Sequence, residues 1–385
     1  MIHQLSEQPH TEANCLPPIR RLLVKVGTRV VTDPEGGLDM IFLDRLARQL
    51  ARLKDRDVQS IVVTSGAVHL GRQVLHHTRG KETLTYRQAA AAVGQPELMR
   101  SYSEALAAHG LIPAQVLLTM DDMIDRQRYI NVRNELELLL KSHIVPIINE
   151  NDSVSVEGVT FVENDRLAAI VATKMRVDLL VFLSDQRGLF TDNPTQNPEA
   201  EFIPTVPAGA ALEAGVGSAG GPESRGGMKA KIAAARVAAN CGIPVVMADG
   251  REDHVLLKLC EGQPVGTLFL PGRQATGGKK PWLAAVREPA GTIWIDEGAG
   301  RALCQPDGAS LLPSGITSSQ GSYEAGDLVS VVGPEGREIA RGLVNYAVAD
   351  VRRIAGKHSR DIAGILGHAG AEEIIHRDNM VLTGE

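Results

Sequence analysis

Aromatic residues are scarce, with six Phe, five Tyr and two Trp in 385 residues. Any core must therefore be aliphatic, built from Val, Ile, Leu and Ala. Cysteine is scarcer still. Cys15, Cys241, Cys260 and Cys304 are scattered and make no CxxC pair, which excludes a zinc-ribbon or disulfide framework and suits reduced thiols in a cytosolic protein. No apolar run approaches the roughly 18 residues a membrane span requires. Residues 1–18 hold Glu7, Glu12, two histidines and three prolines. They lack the basic start and apolar middle of a signal peptide and are expected to be a flexible extension. The expected location is cytoplasmic, with no membrane partner. The formal charge of −6 argues against a whole-chain role on nucleic acid or anionic membrane.

Hydrophobic residues at 43% and charged residues at 22% are ordinary for a globular chain, and the length allows two domains. From Arg20 to about Leu270, short aliphatic runs alternate with helical patterns. The expected strands are Leu22–Val26, Ser60–Thr64, Ala114–Leu118, Ile144–Ile148, Leu179–Leu183, Ile243–Met247 and Val265–Leu270. The expected helices include Leu38–Lys54, Arg87–His109, Tyr129–Ser142, Asp165–Met175 and Met228–Asn240. Runs apolar on both faces, separated by helices, indicate an α/β fold: a largely parallel open sheet sandwiched by helices. Residues 272–280, rich in glycine and basic side chains without periodicity, read as a linker. Beyond it, Gly291–Ile295, Gly315–Thr317, Asp327–Val332, Ile339–Val344 and Asn379–Leu382 are short runs broken by turn signals. The expected division is an extension 1–18, a catalytic domain 19–271, a linker 272–280 and a small, mostly β domain 281–385.

The chemistry concentrates where runs end. Ile144–Ile148 runs into Asn149-Glu150-Asn151-Asp152, and Asn164-Asp165 follows where a helix begins. A buried strand delivering amides and carboxylates to a sheet edge suits a small ligand bearing both an amine and a carboxylate. The first strand ends Lys25-Val26-Gly27-Thr28. Its lysine can meet a phosphate beside a close-approaching glycine backbone, or be a surface lysine beside a turn. Thr64-Ser65-Gly66-Ala67 opens a helix whose N-terminus can bind an anion, or Ser65 can simply cap it. Arg225-Gly226-Gly227-Met228-Lys229-Ala230-Lys231 places lysines at an expected helix start, against the dipole, which favours an anionic partner. Leu183-Ser184-Asp185 either shapes a nucleotide pocket or is a turn.

Two glycine patterns mislead. Gly215–Gly220 satisfies GxGxxG without a strand before it, and Gly272–Lys279 resembles a Walker loop with Gly278 where the lysine belongs. No Ser-His-Asp order or metal-ligand spacing stands out among the histidines.

In order, these stretches resemble the amino acid kinase family: Val24-Lys25-Val26-Gly27-Thr28, Val62–Ala67, Ala92-Val93-Gly94-Gln95, Pro146–Asp152, Asn164-Asp165, and Gly226-Gly227-Met228 with Lys231. Ile295–Ala299, Ser310–Ile316 and His376-Arg377-Asp378 are similar to a PUA domain. The Asn149–Asp152 stretch together with that tail points to the members acting on glutamate. The resemblance implies ATP-dependent phosphorylation of the γ-carboxylate of L-glutamate, giving γ-glutamyl phosphate for proline biosynthesis, with ATP and Mg²⁺. It implies that Lys25 and Lys231 stabilise the transferring phosphoryl, that Asp165 holds both lysines, and that Gly27 and Gly66 donate backbone N–H groups. Ser65, Gly66, Asp152 and Asn164 would bind glutamate. Lys25, Gly27, Ser184, Asp185 and Arg225, Gly226, Gly227, Met228, Lys229, Ala230 and Lys231 would hold ATP. It also implies feedback inhibition by proline. A homo-oligomer is expected, and because an acyl phosphate hydrolyses readily, so is hand-off to glutamate-5-semialdehyde dehydrogenase (γ-glutamyl phosphate reductase).

A carboxylate with a pKa of about 4.3 is already ionised at neutral pH, so such a reaction needs no general base. Positioning and charge neutralisation remain. The chain departs from the family pattern at Glu163, Arg166 and around Arg225, Lys229 and Ala230. Between Pro281 and Glu385 nine Lys/Arg face fourteen Asp/Glu, a net of −5, which opposes RNA binding. The alternatives are a family member acting on acetylglutamate, aspartate, carbamate or a nucleoside monophosphate, and an RNA-binding PUA protein with an inactive kinase scaffold.

Overall fold

A computed structural model describes residues 16–75, 83–154, 163–194, 196–210, 222–272, 289–305, 308–368 and 370–383. Residues 1–15 of the extension, both misleading glycine patterns except Gly272, and linker residues 273–280 lie outside the described residues. The chain divides into two compact units, Met1–Ile232 with Ile243–Leu270, and Ala233–Gly242 with Pro271–Glu385.

The first unit opens with β1 (Arg21–Val26), α1 (Thr28–Val31), α2 (Met40–Lys54), β2 (Gln59–Val63) and α3 (Ala67–Val74). Next come α4 (Leu84–Ala107), β3 (Ile112–Leu118), α5 (Met120–Ile124), α6 (Arg126–Lys141), β4 (Ile144–Glu150) and α7 (Glu163–Met175). It continues through β5 (Leu179–Ser184), the short β6 (Leu189–Phe190), β7 (Phe202–Ile203) and β8 (Thr205–Val206), then α8 (Pro222–Asn240), whose residues from Ala233 on count with the second unit, β9 (Val245–Asp249), α9 (Val255–Cys260) and β10 (Thr267–Phe269).

Eight strands form one sheet in the order β3-β4-β2-β1-β5-β9-β10-β8. All its pairings are parallel except β10 with β9. The seven expected strands are all present. Leu22, Val24, Ile61, Val62, Leu179 and Val181 are fully buried, as a sheet covered on both faces demands. Phe42, Leu43, Leu46 and Leu50 of α2 pack on that core, and Asp39 caps α2 by accepting from the Phe42 N–H at 2.8 Å.

The helical expectation fails at one place. α8 starts at Pro222, not near Met228, so Gly226 and Gly227 lie inside it. Proline suits a first helical position. Lys229 and Lys231 therefore fall in the second and third turns, and their opposition to the helix dipole, used above to favour an anion, does not apply.

In the second unit β11 (Gly291–Ile295), β12 (Ile316–Gly321), β13 (Leu328–Val332), β14 (Glu338–Leu343) and β15 (Met380–Leu382) form a sheet in the order β12-β11-β13-β14-β15. α10 (Glu297–Leu303), α11 (Val348–Ile354) and α12 (Ile362–Leu366) accompany it. Ile293, Val329, Val331, Ala340, Val351 and Ile354 form its aliphatic core. No helix among the described residues is long and apolar enough to cross a membrane. Cys260 and Cys304 are free thiols, and burial pushes Cys260 up to about 11.

Candidate active site

The strand order reverses at β1: β2, β4 and β3 lie on one side of it, β5 and β9 on the other. At such a point the crevice outside the carboxyl ends is the place where α/β sheets bind ligands. Register brings the ends level. Lys25 pairs with Val63 of β2 and with Phe182 of β5, and Val63 pairs with Ile148 of β4. Lys25, Ser65, Asn149 and Ser184 therefore all emerge at one edge.

Lys25 is 4% exposed, so it is not a surface lysine beside a turn. Its Nζ lies 2.7 Å from Asp165 Oδ1, and Lys231 Nζ of α8 lies 3.3 Å from Oδ2 of the same carboxylate. Asp165, in the first turn of α7, is 2% exposed. Burial alone raises a carboxyl group, but the two ammonium groups outweigh it and hold Asp165 below the ordinary carboxylate value. Burial draws Lys25 below the ordinary lysine value against the pull of Asp165, and Lys231 adds to that shift. Two cations thus share one anion in a water-poor place. The surplus positive charge fits a third, anionic group.

A second network runs beside this triad. Asn164 Nδ2 donates to Ser65 Oγ at 3.4 Å and to Asn149 Oδ1 at 3.1 Å. The Glu150 N–H donates to both Asn149 Oδ1 and Asn164 Oδ1. Asn149 Nδ2 donates to Gln95 Oε1 on α4 at 2.8 Å. Gln95 is a site-building residue that the motif reading did not single out. Its only sequence signal was its place at the end of Ala92-Val93-Gly94-Gln95.

Ser65 does not cap α3. The cap position belongs to Gly66, at φ +117, without a side-chain cap bond, and a residue with a Cβ is strained in that conformation. Thr64 Oγ1 and Tyr102 OH, 2.9 Å apart and buried, tie the end of β2 to α4.

Several expected residues stand apart from the triad. The Gly27 N–H is committed to the Leu183 carbonyl at 3.1 Å, so it is not a donor left for a ligand, against expectation; the sheet has used it. Ser184 Oγ bonds both the N–H and the carbonyl of Gln186, which makes the Ser184-Asp185 stretch a hydrogen-bonded turn. Asp185 lies 3.3 Å from the Arg29 guanidinium. Met228 and Ala230 are buried while Lys229 and, four residues on, Ala233 are exposed, which puts Lys229 on a narrow outward stripe of an otherwise well-covered helix. An added Cβ on Gly227 would sit 3.9 Å from Lys231 Nζ. The side chains of Arg225 and Gly226 lie outside the described residues. Asp152 follows β4 in a turn and is partly exposed.

Comparison with known proteins identifies the family. The profile of the Amino acid kinase family matches residues 20–249, and that of the PUA domain matches residues 291–366. The chain is 43% identical over 368 residues to a glutamate 5-kinase of Trichlorobacter lovleyi, covering 95% of this chain and 98% of the relative. A glutamate 5-kinase of Moorella thermoacetica is 43% identical over 378 residues, covering 97% and 100%. Among solved structures, an isopentenyl phosphate kinase aligns with TM-score 0.47 at 16% identity, over 65% of this chain and 99% of that one. The chain belongs to the amino acid kinase family and carries a PUA domain behind its kinase region.

Proposed function

We propose that the chain transfers the γ-phosphoryl of ATP to the γ-carboxylate of L-glutamate, the reaction that its relatives' name, glutamate 5-kinase, describes. The observation that carries the phosphoryl-transfer part is the buried Lys25–Asp165–Lys231 group at the sheet's switch point. In this reading the two ammonium groups neutralise charge building on the transferring phosphoryl and the leaving phosphate, worth most where water is excluded. Asp165 keeps them a few ångströms apart and charged. The acceptor arrives as a carboxylate, so no residue need take a proton from it. Near-full-length likeness to glutamate 5-kinases supports glutamate over the family's other acceptors.

Ser65, Gly66 and Asn164 border the acceptor's place, and Asp152 is the natural partner of its α-ammonium. Ser184, Asp185 and residues 225–231 border the nucleotide. Among the described residues no group of three or more His, Cys, Asp or Glu could hold a metal, and Asp165 is engaged by two lysines. That donor set fits Mg²⁺ carried on the triphosphate oxygens rather than caged by side chains. When bound there it would shield phosphate charge.

The proposed domain limits are 19–271 and 281–385, joined by 272–280. Proline feedback rests on the family resemblance; a homo-oligomer, cytoplasmic location and hand-off of the readily hydrolysed acyl phosphate to a reductase are further parts of the proposal.

The test is glutamate-dependent ADP release. Lys25→Ala should lower kcat by about 10²–10³-fold, the scale for removing one transition-state donor. Asp152→Asn should chiefly raise the KM for glutamate. Unchanged rates in both variants would sink the assignment.

A further inference from the structure

The opposite edge of the same sheet holds a cavity of about 340 Å³ that the reaction does not use. It lies at the amino ends of β1, β2 and β4, whereas the active site lies at their carboxyl ends. Its origin is visible in the register. β2 and β4 pair only at Val62 with Ile147 and Val63 with Ile148, although β1 pairs with β2 from Arg21–Gln59 onward. Below Val62 the two strands part, and the cavity occupies the wedge between them.

The lining combines an apolar wall with basic side chains. Leu50, Val58, Leu111, Leu140 and Val145 form the wall, all buried. Arg20, Lys54 and His143 also line the cavity, against a single carboxylate, Asp57. Ser60 lines it as well. Its residue is 6% exposed, and its buried hydroxyl has no hydrogen-bond partner. A buried hydroxyl without a partner is costly and uncommon, and here it borders an opening large enough to supply one. Asp57 and His143 both hold positive φ, +58 and +55. Glycine is the usual residue at such positions after a helix. Here the chain keeps a carboxylate and an imidazole, both on the cavity.

We propose that this wedge binds a small organic carboxylate with an apolar body. The body would lie on the leucine and valine wall, the carboxylate would meet Lys54 and Arg20, and the Ser60 hydroxyl would donate to it. The volume is at the low end of ligand pockets, about 300–1,000 Å³, which suits a compact ligand. The site is separate from phosphoryl transfer and does not depend on which acceptor the active site takes.

Benzoate and its uncharged counterpart benzamide are the probes. The full chain is titrated with each, and with inorganic phosphate, while backbone amide NMR shifts and the melting temperature are followed. Benzoate should bind saturably, shift amides around residues 57–61 and 143–145, and raise the melting temperature. Benzamide should bind about tenfold more weakly, the loss expected when a charged hydrogen bond is removed. Lys54→Gln and Ser60→Ala should each weaken benzoate by about the same factor. Ser60→Ala should melt no lower than the native chain when ligand is absent, which separates a binding role from a structural one. Equal binding of benzamide and benzoate would overturn the proposal. So would benzoate binding untouched by both substitutions, no benzoate binding at all, or phosphate binding the wedge as tightly as benzoate.

Discussion

A carboxylate 2% exposed between two ammonium groups is stable only while all three members stay in place. Asp165→Asn would leave Lys25 and Lys231 facing each other without a counter-ion. Breaking a buried pair by removing one partner costs about 3–5 kcal/mol, so the variant should lose roughly that much in chemical denaturation at pH 7. Pairing Asp165→Asn with Lys231→Met should recover part of it; no recovery would show that charge is not the cause. The pH dependence follows from the lowered pKa of Asp165. A depressed folded value stabilises above the unfolded value, about 3.9, and that contribution is lost as pH falls through the folded value. The gap between native and Asp165→Asn should therefore hold from pH 7 to about 4 and narrow below it. Lys25 at the end of an apolar run and Asp165 at a helix start were candidates in the sequence, but the residues alone left Lys25 open to a surface reading, and their roles came from the resemblance. Gln95 was not a candidate, since a glutamine within an alanine-rich helix carries no comparable signal.

At the scale of elements, the site depends on how closely α3 meets α4. A Cβ on Gly94 would stand 1.9 Å from the Ala67 carbonyl oxygen, and one on Gly71 would stand 1.8 Å from that of Ala90. The two glycines let each helix rest on the other's backbone, which places Gln95 beside Asn149 and Tyr102 beside Thr64. Pro96 lies inside α4, immediately after Gln95, and cannot donate a hydrogen bond to the preceding turn. Gly94→Ala should cost about 3 kcal/mol, the upper end for overpacking, because the obstacle is backbone and cannot rotate away. Gly110→Ala is the control: with φ +69 and nothing within 4 Å, it should cost only the backbone strain, about 1–2 kcal/mol. Equal losses in the two melts would contradict close packing as the cause. Periodicity revealed the long elements but not β6, β7 and β8, since two-residue strands are too short to show a period. It also placed the start of α8 too late. Two glycines, each costing a helix about 1 kcal/mol, masked a first turn that buried Met228 and Ala230 continue.

At the scale of the whole molecule, the two units differ in what the sequence disclosed. The largely parallel sheet follows from aliphatic runs separated by helices, whereas its strand order and the wedge between β2 and β4 follow from which strands pair and where pairing stops, which no composition records. In the second unit Arg352, Arg353, Lys357 and Arg360 lie close together in sequence, and two of them are used by the fold itself: Arg352 Nε donates to the Ser319 carbonyl at 3.1 Å, and Arg353 reaches Asp350 at 3.7 Å. A net of −5 over Pro281–Glu385 opposes RNA binding there, and the proposed reaction belongs with the kinase unit. Its most direct test is trapping of the acyl phosphate as a hydroxamate, with ATP and, in turn, glutamate, aspartate and acetylglutamate. Hydroxamate with glutamate alone, abolished in Lys25→Ala, is the predicted result; product with aspartate or acetylglutamate but not with glutamate would contradict it.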